Sequence, residues 1–191
     1  YEALNVTSTG AYNTGLGAAA LGANTTGSSN TAVGYHAMGN GTTTGDANSC
    51  FGKDAGRSIT SGATNTLVGK DAGYDVTTGL HNVCVGVSAG GNIIDGDSNV
   101  CVGDASGWEL TTGGNNILLG KDAGRSSSPG TIVTADNYIV LGNNSITNAN
   151  IKVDWTVTSD RRDKTDIAPF NHGLSWINKL NPVTYRWDNR S

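Results

Sequence analysis

The sequence predicts an all-β protein, a β-solenoid or β-roll of about seven 17-residue coils that assembles as a homotrimer, followed by a small α+β fragment at the C-terminus. Two observations carry that expectation. An Asn followed by a short β-prone run and then a Gly recurs at Asn13, Asn30, Asn48, Asn65, Asn82, Asn99 and Asn116, at steps of 17, 18, 17, 17, 17 and 17 residues. The 191 residues also include 28 Gly but only 2 Phe and 1 Met, which leaves no material for an ordinary Leu-rich helical core. A 17-residue period is too short for a helix-pair repeat. It suits one turn of a solenoid in which each strand lies about 4.8 Å from its copy in the next coil.

Within the unit, glycines recur four residues after the Asn, from Gly17 to Gly120, and again near the end of the unit at Gly27, Gly45, Gly62, Gly79, Gly96, Gly113 and Gly130. Gly at fixed offsets marks corners that need a positive φ or a close backbone approach. Three residues after each Asn stand Leu16, Val33, Phe51, Val68, Val85, Val102 and Leu119. Strand alternation aims this row at one face, which is expected to be the coil interior. The intervening row, Gly15, Ala32, Cys50, Leu67, Cys84, Cys101 and Leu118, also lacks charge. On a solitary solenoid that second row would face water and should be polar. Cys50, Leu67, Cys84, Cys101 and Leu118 are therefore expected to line a seam between three chains, with the thiols serving as small apolar packing.

Beyond the strand, Lys53-Asp54, Lys70-Asp71 and Lys121-Asp122 share one register and are expected to form solvated charge ladders of little energetic weight. His36 and His81 are isolated and carry no assigned role. The Gly/Asp-rich stretch 90–97 occurs once, so it reads as a turn. No cofactor and no metal are expected, because three Cys without a Cys-x-x-Cys motif suit neither a zinc site nor a disulfide scaffold.

Charge excludes further classes. The formal net charge is -4 with no Lys/Arg-rich run, so nucleic acid is not an expected partner. The longest apolar stretches fall far short of the roughly 20 residues of a membrane span. A depolymerising enzyme would need paired carboxylates at a groove, and the Asp54, Asp71 and Asp122 row, with a Lys before each, is a poor acid/base pair. Over residues 10 to 130 the Asn-x-x-x-Gly coils resemble the head repeats of trimeric autotransporter adhesins and the shaft repeats of phage tail and virion fibre proteins.

The pattern decays after Gly130, with a degenerate copy at Asn137-Tyr138-Ile139-Val140-Leu141-Gly142. We divide the chain into a shaft over 1–135, a connecting β segment over 136–158 and a third module over 159–191. Composition changes with it. Five basic residues stand against eleven acidic ones up to residue 150, and seven against five thereafter, and Trp155, Trp176 and Trp187 lie in the last part. Ile151 to Thr158 alternates as a strand. Leu174, Ile177 and Leu180 predict a short helix stopped at Asn181-Pro182, and Val183, Tyr185 and Trp187 predict a half-exposed strand.

The run Thr158-Ser159-Asp160-Arg161-Arg162-Asp163-Lys164-Thr165-Asp166-Ile167, with Gly173-Leu174 and Asn181-Pro182-Val183-Thr184-Tyr185-Arg186-Trp187, closely resembles the start of the endosialidase-type intramolecular chaperone. That module stands at the C-terminus of phage tailspikes, tail fibres and neck appendages, promotes trimerisation, and in many members cuts itself off. The resemblance implies Ser159 as nucleophile and Lys164 as base for one cleavage at the Ser159–Asp160 junction, in the manner of a Ser-Lys pair. For that, burial or the neighbouring Arg161 and Arg162 must lower the Lys164 pKa from about 10.4. The same residues also suit a plainer arrangement, with Ser159 capping a helix and Lys164 paired to Asp160 or Asp163. Asp163 departs from the family, where an apolar residue is more usual beside the Lys. Together the resemblances imply a structural and receptor-binding trimeric fibre of a phage virion, whose partners are its own copies and a host-surface receptor or glycan. The alternative is a trimeric adhesin head on a bacterial cell surface, binding host or matrix ligands.

Overall fold

The computed structural model describes residues 2–4, 9–126 and 130–152. Eight three-residue strands form one parallel sheet in chain order: β1 (Thr14–Leu16), β2 (Thr31–Val33), β3 (Ser49–Phe51), β4 (Thr66–Val68), β5 (Val83–Val85), β6 (Val100–Val102), β7 (Ile117–Leu119) and β8 (Ile139–Leu141). Every pair is in register, for example Leu67 opposite Cys84 and Cys84 opposite Cys101, so like positions stack on like positions. This is the expected all-β solenoid, and no helix occurs among the described residues. The chain separates into two units at Ala149 and Asn150. β8 pairs with β7 and so extends the sheet beyond residue 135 into the segment expected to connect the modules.

The recurring Asn explains where each strand begins. Asn65 is fully buried, and its Nδ2 donates both to Asn48 Oδ1 in the preceding coil (3.0 Å) and to the Gly79 carbonyl (2.8 Å). Its own Oδ1 accepts from the Asn82 backbone N–H (2.9 Å) and from Asn82 Nδ2 (3.2 Å). Both amide hydrogens and the carbonyl oxygen are thus used, which is why a residue with two donors and a double acceptor recurs here. The ladder ends at Asn116, whose Oδ1 accepts from the Tyr138 N–H. Tyr138, not Asn137, therefore takes the ladder position in the last copy.

The glycines serve two purposes. Gly69 ends its strand with φ at +134°, a backbone that side-chain-bearing residues rarely adopt. Gly79 has no such φ; there a Cβ would stand 2.6 Å from the carbonyl oxygen of Gly96 in the next coil. Two further left-handed positions in each coil are made without glycine. Asp54, Asp71 and Asp122 have φ near +55°, as do His36 and Ser88 at the same offset, and the residue before each ladder Asn is left-handed too, among them His81 at +58°. Asp is among the residues that tolerate this conformation best.

The interior corrects the expected orientation of the strands. Cys50, Leu67, Cys84, Cys101 and Leu118 are 0% exposed within a single chain and belong to its own core, so they do not line a seam between chains. The row assigned to the interior lies outside, with Leu16 at 66%, Phe51 at 41% and Leu119 at 37% exposure. The two rows are exchanged. The opposite wall of the coil shows why. Where the inner strand residue is Cys or Leu, the facing position is Gly56, Gly73, Gly90, Gly107 or Gly124, and a Cβ on Gly73 would meet both Leu67 methyls at 2.7 Å. Where it is only Gly15 or Ala32, that same offset carries Leu21 or Met38, both fully buried. Volume is conserved across a very thin core. Leu21 and Met38 take left-handed φ of 52° and 49° to supply it, at a cost of roughly 1–2 kcal/mol each. Ile59, Val76, Ile93 and Leu110 form a further buried column, and Ala55, Ala72 and Ala123 another.

Candidate functional site

Three features of the described chain can meet other molecules: the outer sheet face, the charged edge and a shallow polar groove. Each starts from one position of the repeat. The outer face is made by the first and third residues of each strand. It carries Thr or Ser first and an aliphatic residue or Phe third in β1–β4, then aliphatic residues at both places in β5–β8. No strand contains a charged residue. Ile117, Leu119, Ile139 and Leu141 are 38%, 37%, 63% and 52% exposed.

The charged edge follows the corner glycines. Lys53 Nζ lies 2.8 Å from Asp54 Oδ2 and Lys70 Nζ 2.8 Å from Asp71 Oδ2, while Arg125 Nη1 bonds Asp122 Oδ1 at 2.8 Å. Asp54 is a partial correction to the solvated ladder, because it is only 4% exposed. Its hydrogen bond to Lys53, and then its charge, push the Lys53 pKa up. One position further round, Arg57 Nη1 donates to Tyr74 Oη (2.6 Å) with its guanidinium carbon 5.4 Å from the ring centroid.

The groove is lined by Asp97, Ser98, Gly114, Asn115, Asp136 and Asn137. Its polar atoms already staple successive coils. Asp97 Oδ1 accepts from the Leu80 N–H, Asp136 Oδ1 from the Gly114 N–H, and Asn115 Nδ2 donates to Asn137 Oδ1, each at 2.7 Å. Among the described residues no group of three or more His, Cys, Asp or Glu side chains could hold a metal ion, and no helix is long and apolar enough to cross a membrane.

The thiols have the environment of packing groups. Burial raises the Cys50 pKa far above its ordinary value. A hydrogen bond with Cys101, and then burial, does the same for Cys84. A thiol held protonated in a closed interior is a poor nucleophile. His36 stacks on Tyr35 with ring centroids 4.2 Å apart.

Ser159, Asp160 and Lys164 lie outside the described residues, as do the helix expected over 174–180, the strand expected around 183–187 and all of the strand expected over 151–158 except Ile151 and Lys152, which are described and carry no strand. Comparison with known families addresses that part of the chain. Residues 159–191 match the family described as chaperone of endosialidase. The match begins at Ser159 itself and covers the C-terminal motif on which the resemblance rests. The chain matches no curated protein and no solved structure. The described solenoid and the matched segment thus occupy separate stretches of sequence, one carrying a repeated apolar face and the other the similarity to the chaperone family.

Sequence reasoning missed the orientation of the strands, although a signal was present. The exchange of Leu21 and Met38 for glycines, as the strand residue grows from Gly or Ala to Cys or Leu, pairs those two positions across one interior. It is visible only when two columns of the repeat are compared with each other.

Proposed function

We propose that the chain is a structural fibre segment of a phage virion, trimeric, with the solenoid as shaft and the segment 159–191 as the start of a chaperone that aligns three chains. The observation that carries this reading is the family match at residues 159–191 behind a repeat with eight in-register parallel strands. Near-identical coils can pair one repeat out of step at little energetic cost, since like residues still stack on like. Three chains therefore need alignment at one end before the shaft closes. Host-surface receptors or glycans are the external partners of such a fibre, and the solenoid's exposed edges are available to them.

Self-cleavage belongs to the same reading. Attack of Ser159 on its own carbonyl, which a cut at the Ser159–Asp160 junction would need, closes a four-membered ring. Ser159 Oγ would instead attack the Thr158 carbonyl as the neutral Lys164 amine takes the hydroxyl proton. The Thr158–Ser159 C–N bond breaks, that proton passes to the released amine, and water hydrolyses the resulting ester, parting the chain beside Ser159. Two experiments test the proposal. Sedimentation equilibrium of the 191-residue chain should give the mass of three chains; a monomer at micromolar concentration contradicts the reading. Denaturing mass spectrometry should find a fragment ending beside Ser159, abolished by Ser159→Ala. An intact chain, indifferent to that substitution, removes cleavage from the account and leaves the fibre.

A further inference from the structure

Parallel sheets are ordinarily covered on both faces. Here one face is closed by the chain's own interior and the other is bare. The bare face bears no charge along eight strands, and at about 4.8 Å per strand it runs for about 34 Å. Its exposed apolar side chains amount to on the order of 600 Å², at the upper end of what a monomer ordinarily shows and close to the roughly 800 Å² that each partner contributes to a standard interface.

The face is also polarised along the sheet. Its first outward position is Thr14, Thr31, Ser49 and Thr66 in the first four strands, all hydroxyl-bearing. In the last four strands it is always Val or Ile. Desolvating a hydroxyl without a partner costs free energy, whereas covering Val or Ile gains it. The β5–β8 half is therefore the more adhesive, and it is the half nearer in sequence to residues 159–191.

We propose that the outer sheet face is the surface through which copies of this chain associate, and that β5–β8 is the half that joins first. The occupant is a second copy because a surface corrugated once per coil over eight coils is matched throughout by another surface of the same repeat. A charge-free face gives an unrelated partner nothing to select by. The order of joining follows from the polarity: an alignment made at the C-terminal end propagates from aliphatic coils toward hydroxyl-bearing ones. This proposal rests on the trimeric fibre reading and adds to it the surface and the direction.

The test uses the full 191-residue chain and sedimentation at graded concentration, with circular dichroism to check that each variant keeps its β signal. Val102→Asp with Leu119→Asp should weaken association about a hundredfold or more, since each charge would be buried unpaired in the seam. Thr31→Asp with Thr66→Asp should weaken it much less. Thr112→Asp, on another side of the coil, should leave it unchanged. If the wild-type chain is trimeric and the Val102/Leu119 variant is equally so, the face proposal falls while the fibre reading stands. If the wild-type chain is a monomer, the fibre reading itself falls. Equal losses from the two pairs overturn the polarity, as does a larger loss from the Thr31/Thr66 pair.

Discussion

The two faces of the sheet are built from alternate residues of the same eight strands, yet they obey different constraints. The inner row is fitted to a partner column within the chain, so that Leu67 stands against Gly73 and Ala32 occupies a coil filled by Met38. The outer row has no such partner in the chain and varies without compensation, from Thr31 and Val33 to Ile117 and Leu119. Apolar character alone did not separate them. What distinguishes an interior row is that its volume is answered elsewhere in the same coil.

That contrast can be broken by substitution, and the largest effects fall on the inner row. Leu67→Ala should destabilise the folded chain by about 2–5 kcal/mol, read by denaturant unfolding, because the thin core cannot collapse around the void. In a chain kept dissociated by Val102→Asp and Leu119→Asp, Val68→Ala on the outer row should change stability by less than about 0.5 kcal/mol. Comparable losses at the two positions would erase the distinction. Asn82→Ala strands the Gly96 carbonyl and the Asn99 backbone N–H, at about 1–3 kcal/mol for each group left without a partner. Faster amide exchange should then appear at residue 99, whose N–H loses its acceptor.

A smaller effect sharpens the volume argument. Gly73→Met placed on Leu67→Ala recreates the Ala32 and Met38 pairing, and should recover about 1 kcal/mol or more of what Leu67→Ala alone loses. Gly73→Met by itself should destabilise, because it drives a side chain into the Leu67 methyls. Loss of stability additive over the two changes would mean that the columns do not share one interior. The weakest effect belongs to the charged edge. Lys70→Ala removes a 2.8 Å contact between groups that both reach solvent, and should shift stability by no more than about 1 kcal/mol, declining further in salt.

The period, the strand positions and the parallel stacking were legible in the sequence because they repeat in one column each, as the Asn ladder and Gly69 do. The orientation was not, since period-2 alternation says that two rows point apart without saying which is inside. Left-handed corners at Asp71, Ser88 and Ala105 were hidden for another reason: their side chains differ while their backbone does not. The degenerate last copy misled by one residue, because Asn137 resembles the ladder Asn while Tyr138 holds its place. For residues 159–191 the order was reversed. Local motif carried the family resemblance, through the run from Ser159 to Ile167 and Asn181-Pro182-Val183, in a stretch too short to show a repeat or a core.

The most direct test of the account is thiol accessibility in the dissociated chain. Native Val102→Asp/Leu119→Asp protein, monomeric by sedimentation, should leave Cys50, Cys84 and Cys101 unmodified by a maleimide at pH 7.5, and all three should react once the chain is denatured. Rapid modification of those thiols in the folded monomer would return the cysteine row to a seam between chains and contradict the interior described here.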